Sequence, residues 1–343
     1  NNSKGMLTHR LCRVLGLLAV VVTFTLISYL GIYQRNLFHM PGKYRNFADT
    51  SGGKCLKNYF QDVVLVVVYH YPFYGTVHFV LSQYQDAFPH IVVCGPKPST
   101  NFEILAVDIG PGGYHCYECL GKVIRLYPDF RGYMFVNDDM VVNWWNFAKL
   151  DKDKIWSGAN IDEHVAHEID RRPVRDDWMW WKKEDGLKNC ENTYHQLVRF
   201  ANRSLASPPA DFKKLLSTHY HNGKNRTMCF RTWSDFAYVP GRLKGQFEIL
   251  SRIFFENKVF IEIAFPTILS LLEDQKSWEN VKGVYLPEVY GFQDFSHAKY
   301  VWPKFSEDTI FLHPVKFSGN KGYQNRKIFK SRVLPYVKHY TSC

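Results

Sequence analysis

The order of apolar and polar positions divides the chain into recognisable stretches. Residues 14–33 (VLGLLAVVVTFTLISYLGIY) run for 20 positions without a charge. At 1.5 Å per residue they cover a hydrocarbon core of about 30 Å and predict a transmembrane anchor. A cleaved signal peptide has a shorter apolar region, about 7–15 residues, ending in a small-x-small site, which is not seen here. Residues 34–60 contain Pro41, Gly42, Gly52 and Gly53 and follow neither the helical nor the strand period, as expected of a stem.

Beyond the stem the pattern changes to short β-branched runs. Residues 62–70 (DVVLVVVYH) read as a strand buried on both faces. A helical stretch over 75–87 and strands over 90–96 and 103–108 follow. After Gly112-Gly113, Tyr117, Leu120 and Ile124 mark one face of a helix ending near Pro128. A fourth strand, 131–136 (RGYMFV), runs directly into Asn137-Asp138-Asp139. Strands separated by helix-length segments predict parallel, right-handed crossovers. Residues 160–230 are polar and aromatic, with Trp178, Trp180, Trp181 and the break Pro208-Pro209, and predict an insertion over the sheet. Further on come a strand over 234–240, a helix carrying Phe247, Leu250 and Phe254, a strand over 259–263 (VFIEI), and a helix opened by Pro266 and reaching Leu272. Neither repeats nor heptads occur. The expected architecture is α/β: a mostly parallel sheet flanked by helices over 61–320, preceded by one transmembrane helix. Residues 1–13 form a cytoplasmic tail and 321–343 a basic carboxyl-terminal tail.

Charge refines this picture. The 343 residues are 46% hydrophobic and 22% charged, a globular composition. The net charge of +11 sits at the two ends: residues 1–50 hold six Lys/Arg against one acid and residues 311–343 hold seven against none, whereas 51–310 hold 30 against 31. A near-neutral body lacks the basic stripe that tracks phosphates, which argues against a nucleic-acid partner. Lys4, Arg10 and Arg13 before the apolar span balance Arg35, Lys43 and Arg45 after it, so the positive-inside comparison is tied. The sequons Asn202-Arg-Ser204 and Asn225-Arg-Thr227, and seven of the eight cysteines, lie beyond the span. They favour a single-pass type II protein whose carboxyl-terminal part is luminal, in the Golgi or endoplasmic reticulum. Cys116-x-x-Cys119 has the spacing of half a zinc site, but no second pair with ligand spacing follows it, so packing or separate disulfides are expected there.

Asp138-Asp139 at the end of an apolar strand is the strongest chemical signal. In open α/β sheets ligands bind beyond the carboxyl ends of strands. Two hard oxygen ligands there can hold Mg²⁺ or Mn²⁺ and so neutralise a diphosphate, although the same residues also make ordinary turns and caps. Asp235 and Glu262, each set in an apolar segment, are candidate general bases, because burial raises a carboxyl pKa. Either can equally be a structural carboxylate.

The strand–helix–strand order ending in hydrophobic–Asn137-Asp138-Asp139–hydrophobic, behind an amino-terminal anchor, resembles the nucleotide-sugar-dependent glycosyltransferases of the GT-A fold and their Asp-x-Asp metal site. The resemblance covers about residues 60–320 in layout and is specific at the short motif. It implies sugar transfer from a nucleotide-diphosphate donor to a glycan or glycoprotein acceptor, with Mn²⁺ or Mg²⁺ bound by Asn137, Asp138 and Asp139. His313, in Phe311-Leu312-His313-Pro314, resembles the carboxyl-terminal histidine that completes the metal shell in such enzymes. Lys316 would contact the diphosphate and Tyr69 the base or ribose, unless they stand as a solvated lysine and an ordinary strand-end aromatic; Asp108 would accept from ribose hydroxyls or cap a turn. Asn137 departs from the family pattern, with an amide where an acid is usual. The alternatives from other classes are a membrane-anchored, non-catalytic carbohydrate-binding protein and a metal-dependent luminal phosphohydrolase.

Overall fold

A computed structural model describes residues 55–343 apart from 163, 175–177, 204–209, 288 and 291–292, with 289 and 290 described by backbone alone. The predicted cytoplasmic tail, transmembrane span and most of the stem lie outside the described residues. Among the described residues, no helix is long and apolar enough to cross a membrane.

The strands are β1 (Val63–Val68), β2 (His90–Gly95), β3 (Leu105–Ala106), β4 (Gly132–Asn137), β5 (Val141–Val142), β6 (Trp156–Ser157), β7 (His167–Glu168), β8 (Met228–Cys229), β9 (Phe236–Pro240), β10 (Glu279–Asn280), β11 (Val284–Tyr285), β12 (Val289–Tyr290), β13 (Gln293–Asp294) and β14 (Phe311–His313). The helices are α1 (Val77–Leu81), α2 (Tyr117–Leu126), α3 (Leu187–Asn202), α4 (Phe212–Asn222), α5 (Lys244–Glu256), α6 (Ile261–Leu272), α7 (Ala298–Val301), α8 (Gly319–Arg332) and α9 (Leu334–Thr341). Seven strands form one sheet in the order β10-β6-β9-β4-β1-β2-β3. β1 pairs in parallel with β2 and β4, and β2 with β3, while β9 runs antiparallel between β4 and β6. The fold is therefore mixed α/β with a parallel-rich sheet flanked by helices.

Alternation along β1 explains why all six of its residues are apolar. Val64, Val66 and Val68 pack on one face with α2, α5 and α6, whereas Val63, Leu65 and Val67 enter a second core with Phe317, Phe329, Val333 and Val337. A strand buried on both faces has no position for a polar side chain. The second core shows what the basic carboxyl-terminal segment does. Its apolar positions cover one face of the sheet through α8 and α9, while Lys327, Lys330, Arg332 and Lys338 remain exposed.

The structure corrects one predicted strand. Residues 259–263 lead into and open α6, and Pro266 lies inside that helix rather than at its start. Proline leaves the carbonyl four residues earlier without its helical donor. That carbonyl belongs to Glu262, and it accepts from the Thr232 N–H at 3.0 Å. The interior proline is thus accommodated, and the same bond ties the segment before Asp235 to the first turn of α6.

Among the described residues three disulfides staple the fold. Cys94–Cys119 joins β2 to α2, Cys190–Cys229 joins α3 to β8, and Cys55–Cys343 joins the two ends of the described region. Cys116 is a buried free thiol.

Candidate active site

Three chain segments far apart in sequence meet at the carboxyl end of β4. The chain leaves β4, turns through Asp138 and Asp139, and enters β5. β5 pairs antiparallel with β14, Val142 opposite Phe311 and Val141 opposite Leu312. His313 ends β14 and therefore arrives beside the turn, and the Val315 N–H donates to the Asp139 carbonyl at 2.6 Å. β9 supplies the third segment. It pairs antiparallel with β4, Val136 opposite Phe236, and the Asn137 N–H donates to the Asp235 carbonyl at 3.1 Å.

Asp139, Asp235 and His313 converge as a result, each offering one ligand atom, with all three atoms within 4.8 Å of one another. His313 Nε2 lies 3.5 Å from Asp139 Oδ1 and 3.2 Å from Asp235 Oδ1. Lys316 Nζ donates to Asp139 Oδ2 at 2.7 Å. Asn137 Nδ2 donates to Asp235 Oδ1 at 2.7 Å. This last bond gives a physical reason for the amide in the motif. A carboxylate at position 137 would face Asp235 at hydrogen-bonding distance with no proton between them, whereas an amide donates and orients Asp235.

The site is electrostatically tense. Burial alone would lower the His313 pKa, but the Asp235 and Asp139 carboxylates outweigh it and push the value up to about 10. Burial works against ionising Asp139, yet Lys316 and His313 hold its carboxyl well below the usual range. Asp235 is likewise held low, chiefly by His313 against the cost of burial. Asp138 behaves oppositely: burial and then the charge of Asp139 push its carboxyl well above the ordinary value. Adjacent acids in one turn are thus driven apart, one ionised and one favouring its proton.

Glu262 stands in the first turn of α6. Burial, followed by repulsion from Asp235, pushes its pKa up to about 7, with His313 and Arg231 pulling against it. The reading of Glu262 as part of a strand was wrong, while its place within the electrostatic reach of Asp235 and His313 is a matter of geometry.

His70, just beyond β1, belongs to the same neighbourhood, with Cys116 Sγ 3.5 Å from its Nε2. Burial lowers its pKa against the pull of Asp139 and Asp235. The ring fits because Gly113 (φ +76°) has no Cβ, which would lie 2.5 Å from the imidazole. Its position at the carboxyl end of a central strand is the sequence signal that marks it.

Not every predicted residue joins the cluster. Asp138 is next to it, but among the described residues the group that converges with Asp139 and His313 is Asp235. Tyr69 is fully buried, its hydroxyl 3.1 Å from Thr76 Oγ1 and its ring edge-on to Tyr74, so no face is open to a base or ribose. Because β1 alternates between two cores, Tyr69, the position just after it, continues into the core of Val63, Leu65 and Val67. Asp108 is exposed, accepts from the Gly110 N–H at 3.3 Å and lies 4.0 Å from Lys258. Of the tryptophan group, Trp181 is buried, and Trp180 stacks on Phe260 at 4.0 Å, which anchors the 160–230 segment to the start of α6.

No protein-family model matches the chain. Two curated proteins of Arabidopsis thaliana align with it. Both are named probable glycosyltransferases. STELLO1 is 23% identical over 268 residues, which cover 77% of this chain and 31% of that protein. STELLO2 is 22% identical over 226 residues, 65% of this chain and 26% of that protein. The chain thus spans about a third or less of the length of these relatives.

Proposed function

We propose that the chain is a glycosyltransferase that moves a sugar from a nucleotide-diphosphate donor to a glycan or glycoprotein acceptor with the help of a divalent cation. The observation that carries this reading is the meeting of Asp139, Asp235 and His313 at the carboxyl end of β4, and the names of the two relatives support the transferase class. Two carboxylates and an imidazole form an oxygen- and nitrogen-rich donor set that suits a first-row divalent cation, Mn²⁺ ahead of Mg²⁺ because of the imidazole. Asp139, Asp235 and His313 would hold it. Such an ion supplies Lewis-acid neutralisation of the diphosphate leaving group.

The remaining roles fall to the chain itself. Lys316, already paired with Asp139, presents a point charge to a phosphate oxygen. Asn137 fixes the orientation of Asp235. Glu262, poised near neutrality, takes the proton of the acceptor hydroxyl. The scaffold is of the GT-A kind in this reading. Three disulfides and the exposed sequon residues Asn202 and Asn225 support a luminal, type II placement in the secretory pathway.

The test is turnover by the purified full-length protein over a panel of nucleotide sugars, with Mn²⁺ and with EDTA. Mn²⁺-dependent release of the nucleoside diphosphate is expected, and Asp139→Ala abolishes it without unfolding the protein. Wild-type turnover in that variant refutes the assignment.

A further inference from the structure

The aromatic side chain best placed to touch a sugar is one that the motifs did not single out. Trp233 is 46% exposed although it lies two residues before the buried Asp235. One face of its indole stacks on Tyr285, with centroids 5.1 Å apart and planes 15° from parallel. Tyr285 in turn meets His313 edge-on at 5.7 Å, and its hydroxyl is raised by burial and then by Asp235 and Glu262. The backbone is pinned as well, through the Thr232 N–H to the Glu262 carbonyl. The indole is therefore held one ring away from the metal-ligating cluster and one residue from a bond to the proposed base.

Among the described residues its other face has no ring against it, and its Nε1–H bonds no protein group. The indole also lines a small, largely apolar recess with Ser157, Phe236, Phe265, Pro266, Leu269 and Trp278. Held against Tyr285, the indole presents a rigid, partly apolar face with a polar N–H at the edge of a polar centre. The C–H face of a pyranose ring matches it, and a ring hydroxyl can accept from the indole N–H.

Resting on the transferase reading, we infer that Trp233 is a specificity-determining platform that stacks on the pyranose ring of the acceptor. The role is binding and positioning, with no covalent step. It separates the acceptor from the nucleotide, which the motif and Lys316 would hold.

Saturation-transfer NMR and steady-state kinetics on the full-length protein test this. The probes are p-nitrophenyl β-glucoside, β-galactoside, β-mannoside and N-acetyl-β-glucosaminide, with UDP plus Mn²⁺ as the donor-side control. At least one pyranoside is expected to receive saturation at the ring protons of a single face. Trp233→Ala should remove that transfer and raise the acceptor KM about tenfold, with UDP binding and donor hydrolysis unchanged. Trp233→Phe keeps the stack and should restore most of the affinity. Unchanged acceptor KM in Trp233→Ala, or saturation of no pyranoside by the wild-type protein, overturns the platform. Absence of Mn²⁺-dependent turnover by the wild-type protein over the whole panel of nucleotide sugars overturns the transferase reading itself, so the two failures are distinguishable.

Discussion

Replacing Glu262 by Gln tests the electrostatics of the site and its chemistry together. The ordinary carboxyl value of 4.5 is pushed up to about 7, first by burial and then by Asp235. Since the folded form holds its proton more tightly than the unfolded chain, stability falls with pH between these two values. Below about 4.5 the group is protonated in both states and costs nothing. Above about 7 the carboxylate is ionised in both, and its full cost of about 3 kcal/mol applies, each pKa unit being worth about 1.4 kcal/mol. Gln carries no charge at any pH. Glu262→Gln should therefore equal wild type in stability near pH 4 and exceed it at pH 8 by up to about 3 kcal/mol, roughly 6 °C in Tm for a domain of this size. The other titrating groups are shared, so the difference between variant and wild type isolates Glu262. Turnover should move the other way, falling by about 10²–10⁴ through loss of the base. In the wild type the acid limb of the pH–rate profile should rise through about 7, where Glu262 ionises. Thermal denaturation of both proteins at the two pH values, followed by donor turnover at pH 8, reads both effects. A variant no more stable than wild type at pH 8 would show that Glu262 is not under electrostatic stress. Undiminished turnover would remove it from the reaction.

Three further outcomes follow from the geometry. Asn137→Asp sets a second carboxylate where Asn137 Nδ2 now donates to Asp235 at 2.7 Å; in EDTA it should lower stability by about 1–3 kcal/mol, and an unchanged Tm would show that the amide does not orient Asp235. Asn202 and Asn225 are exposed, so a luminal domain should lose mass on endoglycosidase treatment; no change in either single sequon variant, together with protease access in sealed vesicles, would place the domain on the cytoplasmic side. Cys116 is the free thiol among the described residues and is buried; unfolding without reductant should add one reactive thiol per chain to the native titre, whereas full reaction in the native state would contradict its burial.

The main sheet was legible because β1, β2 and β4 are largely apolar runs of strand length, and β1 and β4, buried along their whole length, leave little room for polar side chains. Residues 259–263 were not. VFIEI is equally apolar as a buried strand or as the approach to a buried helix, and periodicity over five positions cannot separate them. Tyr69 failed for a related reason: adjacency to a strand end says where the backbone goes, not which core the ring enters. Asp139 and His313 were read as partners from the resemblance and do meet, whereas Asp235 was read as a base or a structural carboxylate and not as a member of the cluster.

What the linear order determined on its own is a sheet with acids at the end of its fourth strand, since hydrophobic burial and strand alternation act locally and leave their pattern in the residues. What only the tertiary structure decided is the composition of the cluster. Asp235 stands 98 positions from Asn137, and Lys316 stands 177 from Asp139. Their meeting depends on the antiparallel registers of β9 on β4 and of β14 on β5. Register is set by which side chains share a core across those separations, and no window of sequence contains that choice.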